Sequence, residues 1–173
     1  MNVADKIAEW LDEKEIRTIF GIIGSANMAI FDAISKKKSL TLVCCHHEAA
    51  AATASDFFNR TAGGLKSACL VTAGAGSSNA LTGVLAAYMD SKPLLVISGA
   101  EASYFFDRPS PRVIGVQSHN AAQAAIPFVK LGWQPSTTFS MESMDTLYRI
   151  ATVDRQGPVW ASIPKDIQVA PCN

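Results

Sequence analysis

The chain has 173 residues, 49% hydrophobic and 17% charged, a balance that excludes a disordered chain and supports a core without disulfides or metals. Lys+Arg 15 against Asp+Glu 15 leaves a formal net charge of zero, with no basic excess for nucleic acid and no acidic tail. Met1-Asn2-Val3-Ala4-Asp5-Lys6 lacks the apolar core of a secretion signal, no apolar run is long enough for a bilayer, and Cys44, Cys45, Cys69 and Cys172 do not read as a disulfide framework, so a reduced, cytoplasmic protein is expected.

Along the chain, helix and strand alternate. Val3, Ile7, Ala8 and Leu11 recur at helical spacing behind Asn2, a suitable cap. Residues 18–22 read as a short buried strand, and Ser25 is placed to cap a helix through Met28, Ile30, Phe31 and Ile34 that closes on Lys36, Lys37 and Lys38. A strand over 40–45, an Ala-rich helix over 48–60 and a strand over 67–72 follow. The turn Gly74-Ala75-Gly76-Ser77-Ser78-Asn79 leads into a helix to about Met89, then an apolar strand over 93–98. Residues 99–115, with Pro109 and Pro111, predict a long loop. A short helix over 119–125, a strand over 128–133, a helix over 141–152 and a strand over 159–163 complete the pattern. Residues 1–173 thus read as one α/β domain. Its expected architecture is three-layered, with about six mostly parallel strands and helices on both faces.

Three segments carry candidate chemistry. Cys44-Cys45-His46-His47-Glu48 resembles a metal cluster in composition only, because neighbouring strand residues point to opposite faces and cannot converge on one ion. Glu48 stands where a strand ends and a helix begins, the edge at which open α/β sheets bind ligands, although a first-turn glutamate is also ordinary helix chemistry. The turn at Gly74–Asn79 suits either a phosphate or close strand-to-helix packing, and it has neither a Walker lysine nor a third glycine. His119 lacks the Gly-x-Ser-x-Gly elbow that a hydrolase reading would need.

Read together, these segments resemble the pyrimidine-binding domain of thiamine-diphosphate enzymes, in the acetolactate synthase and 2-oxo acid decarboxylase group. Phe20-Gly21-Ile22-Ile23-Gly24 resembles the family's Phe-Gly-x-Pro-Gly, with Ile23 at the proline position. His47-Glu48-Ala49-Ala50-Ala51, followed by Asp56, Arg60 and Gly63, is similar to its His-Glu segment and Ala-Asp-x-x-x-Arg-x-x-Gly helix. Val71-Thr72-Ala73-Gly74-Ala75-Gly76-Ser77-Ser78-Asn79 is similar to Val-Thr-x-Gly-Pro-Gly-x-x-Asn, with Ala75 replacing proline. Tyr88-Met89-Asp90-Ser91-Lys92-Pro93, Gly157-Pro158-Val159 and Ile163-Pro164-Lys165-Asp166 match in order and spacing, so the resemblance covers nearly the whole chain.

The resemblance implies that Glu48 hydrogen-bonds the pyrimidine ring of thiamine diphosphate and so activates the cofactor for attack on a 2-oxo acid. It implies that Gly24, Gly76 and Asn79 shape the pyrimidine pocket, that Thr72 can face the substrate, and that Gln117 reaches the active site. Val116 and Ser118 flank Gln117 where Phe and Glu are usual. His46 and His47 adjoin the glutamate, so that one, His47 first, is placed to give or take a proton, with a core or supporting role as the alternative for both; Arg108 and Arg112 are placed to bind an acidic substrate group or to be solvated loop cations. No metal ligand is expected in this chain. The family's Gly-Asp-Gly, which with a later Asn holds magnesium against the diphosphate, does not occur in the sequence. The implied assembly is a hetero-oligomer with a subunit carrying the diphosphate-binding domain and its Mg2+, as in the two-subunit sulfopyruvate decarboxylases. The competing reading is a non-catalytic assembly or regulatory module that kept the fold.

Overall fold

The computed structural model describes residues 1–106 and 117–172. Helix α1 (Val3–Glu13) opens with a reciprocal cap, in which the Asp5 N–H donates to Asn2 Oδ1 at 2.8 Å and the Asn2 N–H donates to Asp5 Oδ2 at 3.1 Å. The order is then β1 (Thr18–Gly21), α2 (Met28–Lys36), β2 (Thr41–Cys44), α3 (Glu48–Ala62), β3 (Ser67–Val71), α4 (Ala75–Asn79), α5 (Leu81–Met89) and β4 (Leu94–Ala100). After it come α6 (Ala121–Ala125), β5 (Leu131–Trp133), α7 (Met141–Thr152), β6 (Pro158–Pro164) and α8 (Lys165–Gln168). The six strands form one sheet in the order β2-β1-β3-β4-β6-β5, and every neighbouring pair is parallel.

Alternation along β3 shows how the layers divide. Ala68 and Leu70 face a core built with α1, α2, α7 and α8, whereas Cys69 and Val71 face one built with α3, α5 and α6. Both faces are covered, so β3, β4 and β6 are buried along their whole length. Small residues let α3 and α5 approach closely: a Cβ added at Gly83 would lie 2.7 Å from the Ala52 Cβ. Among the described residues no helix is long and apolar enough to cross a membrane.

Several boundaries differ from the sequence expectation. Ser25 does not cap α2, because Ser25 to Asn27 form a turn and Asn27 precedes the helix with its side chain committed elsewhere. The strand expected over 128–133 is shorter, since Ile126–Phe128 wind as a 3₁₀ turn around Pro127, which has no N–H for a ladder. Strand β4 ends two residues later than expected because β6 pairs with it as far as Ala100↔Pro164. Arg108 and Arg112 lie outside the described residues.

Helix α3 is held by an ion pair and a terminal glycine. Asp56 is fully buried, and Arg60 reaches it with three N–H···O contacts of 2.6 to 3.1 Å while also donating to Asp90 at 2.7 Å. These carboxylates hold the guanidinium pKa above its ordinary value, Asp56 contributing most. Gly63 then ends the helix at φ 73°, the left-handed conformation that suits glycine. Arg60→Ala leaves a buried carboxylate without its cation, and a loss of about 3 kcal/mol is expected. Chemical denaturation checks this: the Asp56→Ala/Arg60→Ala double variant should recover part of the loss, and a single variant as stable as the parent would show that the pair does not hold the helix.

Candidate functional site

Strands β1 and β3 are neighbours whose connections leave in opposite directions, one through α2 to β2 and the other through α4 and α5 to β4. Such a reversal opens a crevice at the carboxyl ends of the two strands, where open α/β sheets bind ligands. The segment after β1 brings Gly24 to it, and the segment after β3 brings Thr72, Gly76 and Asn79. The N-terminus of α3 brings Glu48.

These five residues pack without spare room. A Cβ added at Gly24 would lie 2.4 Å from Thr72 Oγ1, and one added at Gly76 would lie 2.7 Å from Thr72 Cγ2 and 3.1 Å from Glu48 Oε1. Glycine is needed at both positions because Thr72 occupies the space a side chain would take. The Asn79 amide Nδ2 donates to Glu48 Oε2 at 3.1 Å. Oε2 of the half-buried carboxylate is thus tethered, and Oε1 lies over the bare backbone of Gly76.

Gln117 stands at the other end of the same turn. Gly74 has φ 66° and ψ −134°, and a Cβ there would lie 2.6 Å from Gln117 Cδ, so conformation and space both call for glycine. The exposed Gln117 side chain therefore rests against the Gly74 backbone. His47 precedes α3 as its N-cap, with Nδ1 accepting the Ala49 N–H at 3.2 Å. An acceptor Nδ1 carries no proton, so neutral His47 presents Nε2–H at the exposed rim.

The cysteines form no cluster with these groups. All four are free thiols, and burial pushes the thiols of Cys45 and Cys69 up. Among the described residues no group of three or more His, Cys, Asp or Glu side chains can hold a metal ion.

Two functional supports have only faint sequence signals. Asn27, fully buried, accepts the Gly24 N–H at Oδ1 (2.7 Å) and donates from Nδ2 to the Ile22 carbonyl (3.0 Å), closing the loop that carries Gly24. Its signal is an Asn three residues after a Gly at a strand end. Gln168, equally buried, donates to the carbonyls of Ala26 and Ile163, both at 2.7 Å, and ties that loop to the end of β6. Gln168 and Ala26 are 142 positions apart, which leaves no local pattern to read.

The site thus presents a carboxylate steadied by an amide, beside two glycines packed on a threonine. Residues 1–145 match the sequence model of the family described as thiamine pyrophosphate enzyme, N-terminal TPP binding domain. The chain is 31% identical over 169 residues to a probable acetolactate synthase large subunit of Methanocaldococcus jannaschii, covering 97% of this chain and 27% of that protein. It is 28% identical over 168 residues to the isozyme 1 large subunit of Escherichia coli, covering 96% of this chain and 29% of that protein. It is 32% identical over 165 residues to the Haemophilus influenzae large subunit, covering 94% of this chain and 28% of that protein. The chain thus spans less than a third of the length of the curated relatives it matches.

The contact between Gly24 and Thr72 is open to a direct test. Gly24→Ala is expected to cost about 1–3 kcal/mol through overpacking. Thr72→Gly removes the three atoms it would strike and should return part of that loss. Thermal melts of the two single variants and the double variant read the coupling, and strictly additive losses would show that the residues do not press on each other.

Proposed function

Because the chain belongs to the thiamine pyrophosphate enzyme N-terminal TPP-binding domain family, we propose that it is the pyrimidine-binding subunit of a split thiamine-diphosphate enzyme acting on a 2-oxo acid. When bound, thiamine diphosphate supplies a nucleophilic carbon and an electron sink for decarboxylating the acid or passing its acyl unit to a second carbonyl. The relation to acetolactate synthase large subunits supports that reaction class. The observation that carries the reading is Glu48, tethered by Asn79 and set over Gly76 at the reversal between β1 and β3.

In this reading each residue has a physical task. Asn79 holds Glu48 Oε2 and leaves Oε1 to share a proton with a ring nitrogen of the pyrimidine. Gly24 and Gly76 make room for Thr72, and this packing shapes the edge that the ring would meet. Gln117, exposed beside Gly74, offers an amide to the substrate, and His47 offers Nε2–H at the rim. In this reading the diphosphate and its Mg2+ are held by a partner subunit that carries the diphosphate-binding domain. The four free thiols accord with a cytoplasmic setting.

Two measurements test the reading. Titration calorimetry of the purified chain with thiamine diphosphate and magnesium is expected to show weak binding or none, and tight binding would remove the need for a partner. In the assembled enzyme, Glu48→Gln keeps the shape but cannot share the proton, and turnover should fall about 10²-fold or more. Carbon dioxide release from 2-oxo acids reads the effect, and a fully active variant would overturn the role of Glu48.

A further inference from the structure

His119 lies outside the motifs that point to the cofactor, yet it bonds to the turn that carries them. Its Nε2 stands 3.1 Å from Ser77 Oγ, and Ser77 Oγ stands 2.8 Å from the Gly74 carbonyl. The Gly74 carbonyl also accepts from the Ser78 N–H at 3.2 Å and from Ser78 Oγ at 3.4 Å, so the Ser77 hydroxyl can give its proton to that carbonyl or to Nε2, and the bond to His119 forms with either ring tautomer. Ser77 is itself buried, so the chain of bonds is shielded from competing water.

The bonds join two pieces of the site. Ser77 belongs to α4 with Gly76 and Asn79, the residues set against Glu48. His119 stands two residues after Gln117, whose side chain lies on Gly74, the residue whose carbonyl Ser77 Oγ reaches. We propose that His119 is a positioning residue that pins Gln117 across the Gly74 turn through Ser77, and so sets the distance between the substrate-facing amide and the Glu48 edge. The inference rests on the function proposed above for its catalytic consequence, but its hydrogen-bond pattern stands independently.

The latch holds in either charge state. Burial pushes the His119 pKa below its ordinary value, so the ring is neutral near pH 7 and bonds Ser77 through Nε2 as donor or acceptor. Protonation would make both ring nitrogens donors, and Nε2 would then donate to Ser77 Oγ.

Nitrogen-15 NMR of the histidine-labelled full chain tests the bond itself, with three histidines to resolve. His119 should titrate with a midpoint below 6.5, and Ser77→Ala should move its Nε2 shift. A His119 Nε2 shift unchanged by Ser77→Ala would overturn the latch. In the assembled enzyme, His119→Phe keeps a ring but loses Nε2, and kcat/KM should fall about tenfold. Adding Gln117→Ala should then cost little, whereas Gln117→Ala alone should cost about as much as His119→Phe. His119→Gln returns an amide donor and should recover most of the activity. An unchanged His119→Phe enzyme, a silent Gln117→Ala or fully additive losses would each overturn the positioning role. An active Glu48→Gln enzyme would instead fail the parent reading and leave the NMR result standing.

Discussion

Thr72 has backbone on two sides, and the rest of the site is arranged around that fact. It leaves the sheet just after β3, between Gly24 from the β1 side and Gly76 from its own turn, with an added Cβ at either glycine falling inside contact distance. The crevice is therefore defined by missing side chains as much as by present ones. Parallel pairing of β1 and β3 sets the distance between the two strand ends, and Thr72 fills what remains. Asn27 and Gln168 then hold the Gly24 loop from behind, each using both of its bonds to satisfy backbone that would otherwise be buried unpaired. The loop is fixed by bonds rather than by regular structure.

Much of this was legible from residue order. Apolar strands separated by amphipathic helices led to a covered parallel sheet, and the Asn2 cap and the Val3, Ile7, Leu11 spacing of α1 are both found in the structure. Glu48 and the Gly74–Asn79 turn were visible as chemistry at strand ends, and the family resemblance joined them. What stayed hidden depends on distance. Ser77 and His119 are 42 residues apart, and Ala26 and Gln168 are 142 apart, so each pair meets only because the sheet brings its ends together. Ser25 misled for a local reason: it is a good cap residue, but the neighbouring Asn27 closes the turn on Gly24 and Ile22 and shifts the helix start to Met28. At Phe128 the apolar run predicts a strand, but Pro127 has no N–H and favours the 3₁₀ turn that takes Phe128 in.

His47 shows how capping and chemistry share one side chain. Used as a cap, its ring accepts at Nδ1, which fixes the neutral tautomer and the orientation of Nε2. A serine or aspartate in that place would serve the helix but offer no ring N–H to the rim. His119 instead uses Nε2 to bond Ser77, whose hydroxyl also reaches the Gly74 carbonyl. Both imidazoles are thus oriented by hydrogen bonds without a carboxylate partner.

The ion pair within α3 bears on the same geometry from further away. Glu48 is the first residue of that helix and Asp56 lies eight residues on, so whatever fixes the helix along its axis fixes the height of the carboxylate above Gly76. Ala51 and Ala52 give the helix a smooth buried face, which packs closely but resists sliding poorly. The Asp56–Arg60 pair is directional where alanine is not: a buried carboxylate held by three N–H contacts has one position of lowest energy. Arg60 extends the tie to Asp90 at the end of α5, the helix whose Gly83 meets Ala52. The motif residues Asp56, Arg60 and Gly63 thus bear on Glu48 by holding its helix in register, and their charge need never meet a ligand.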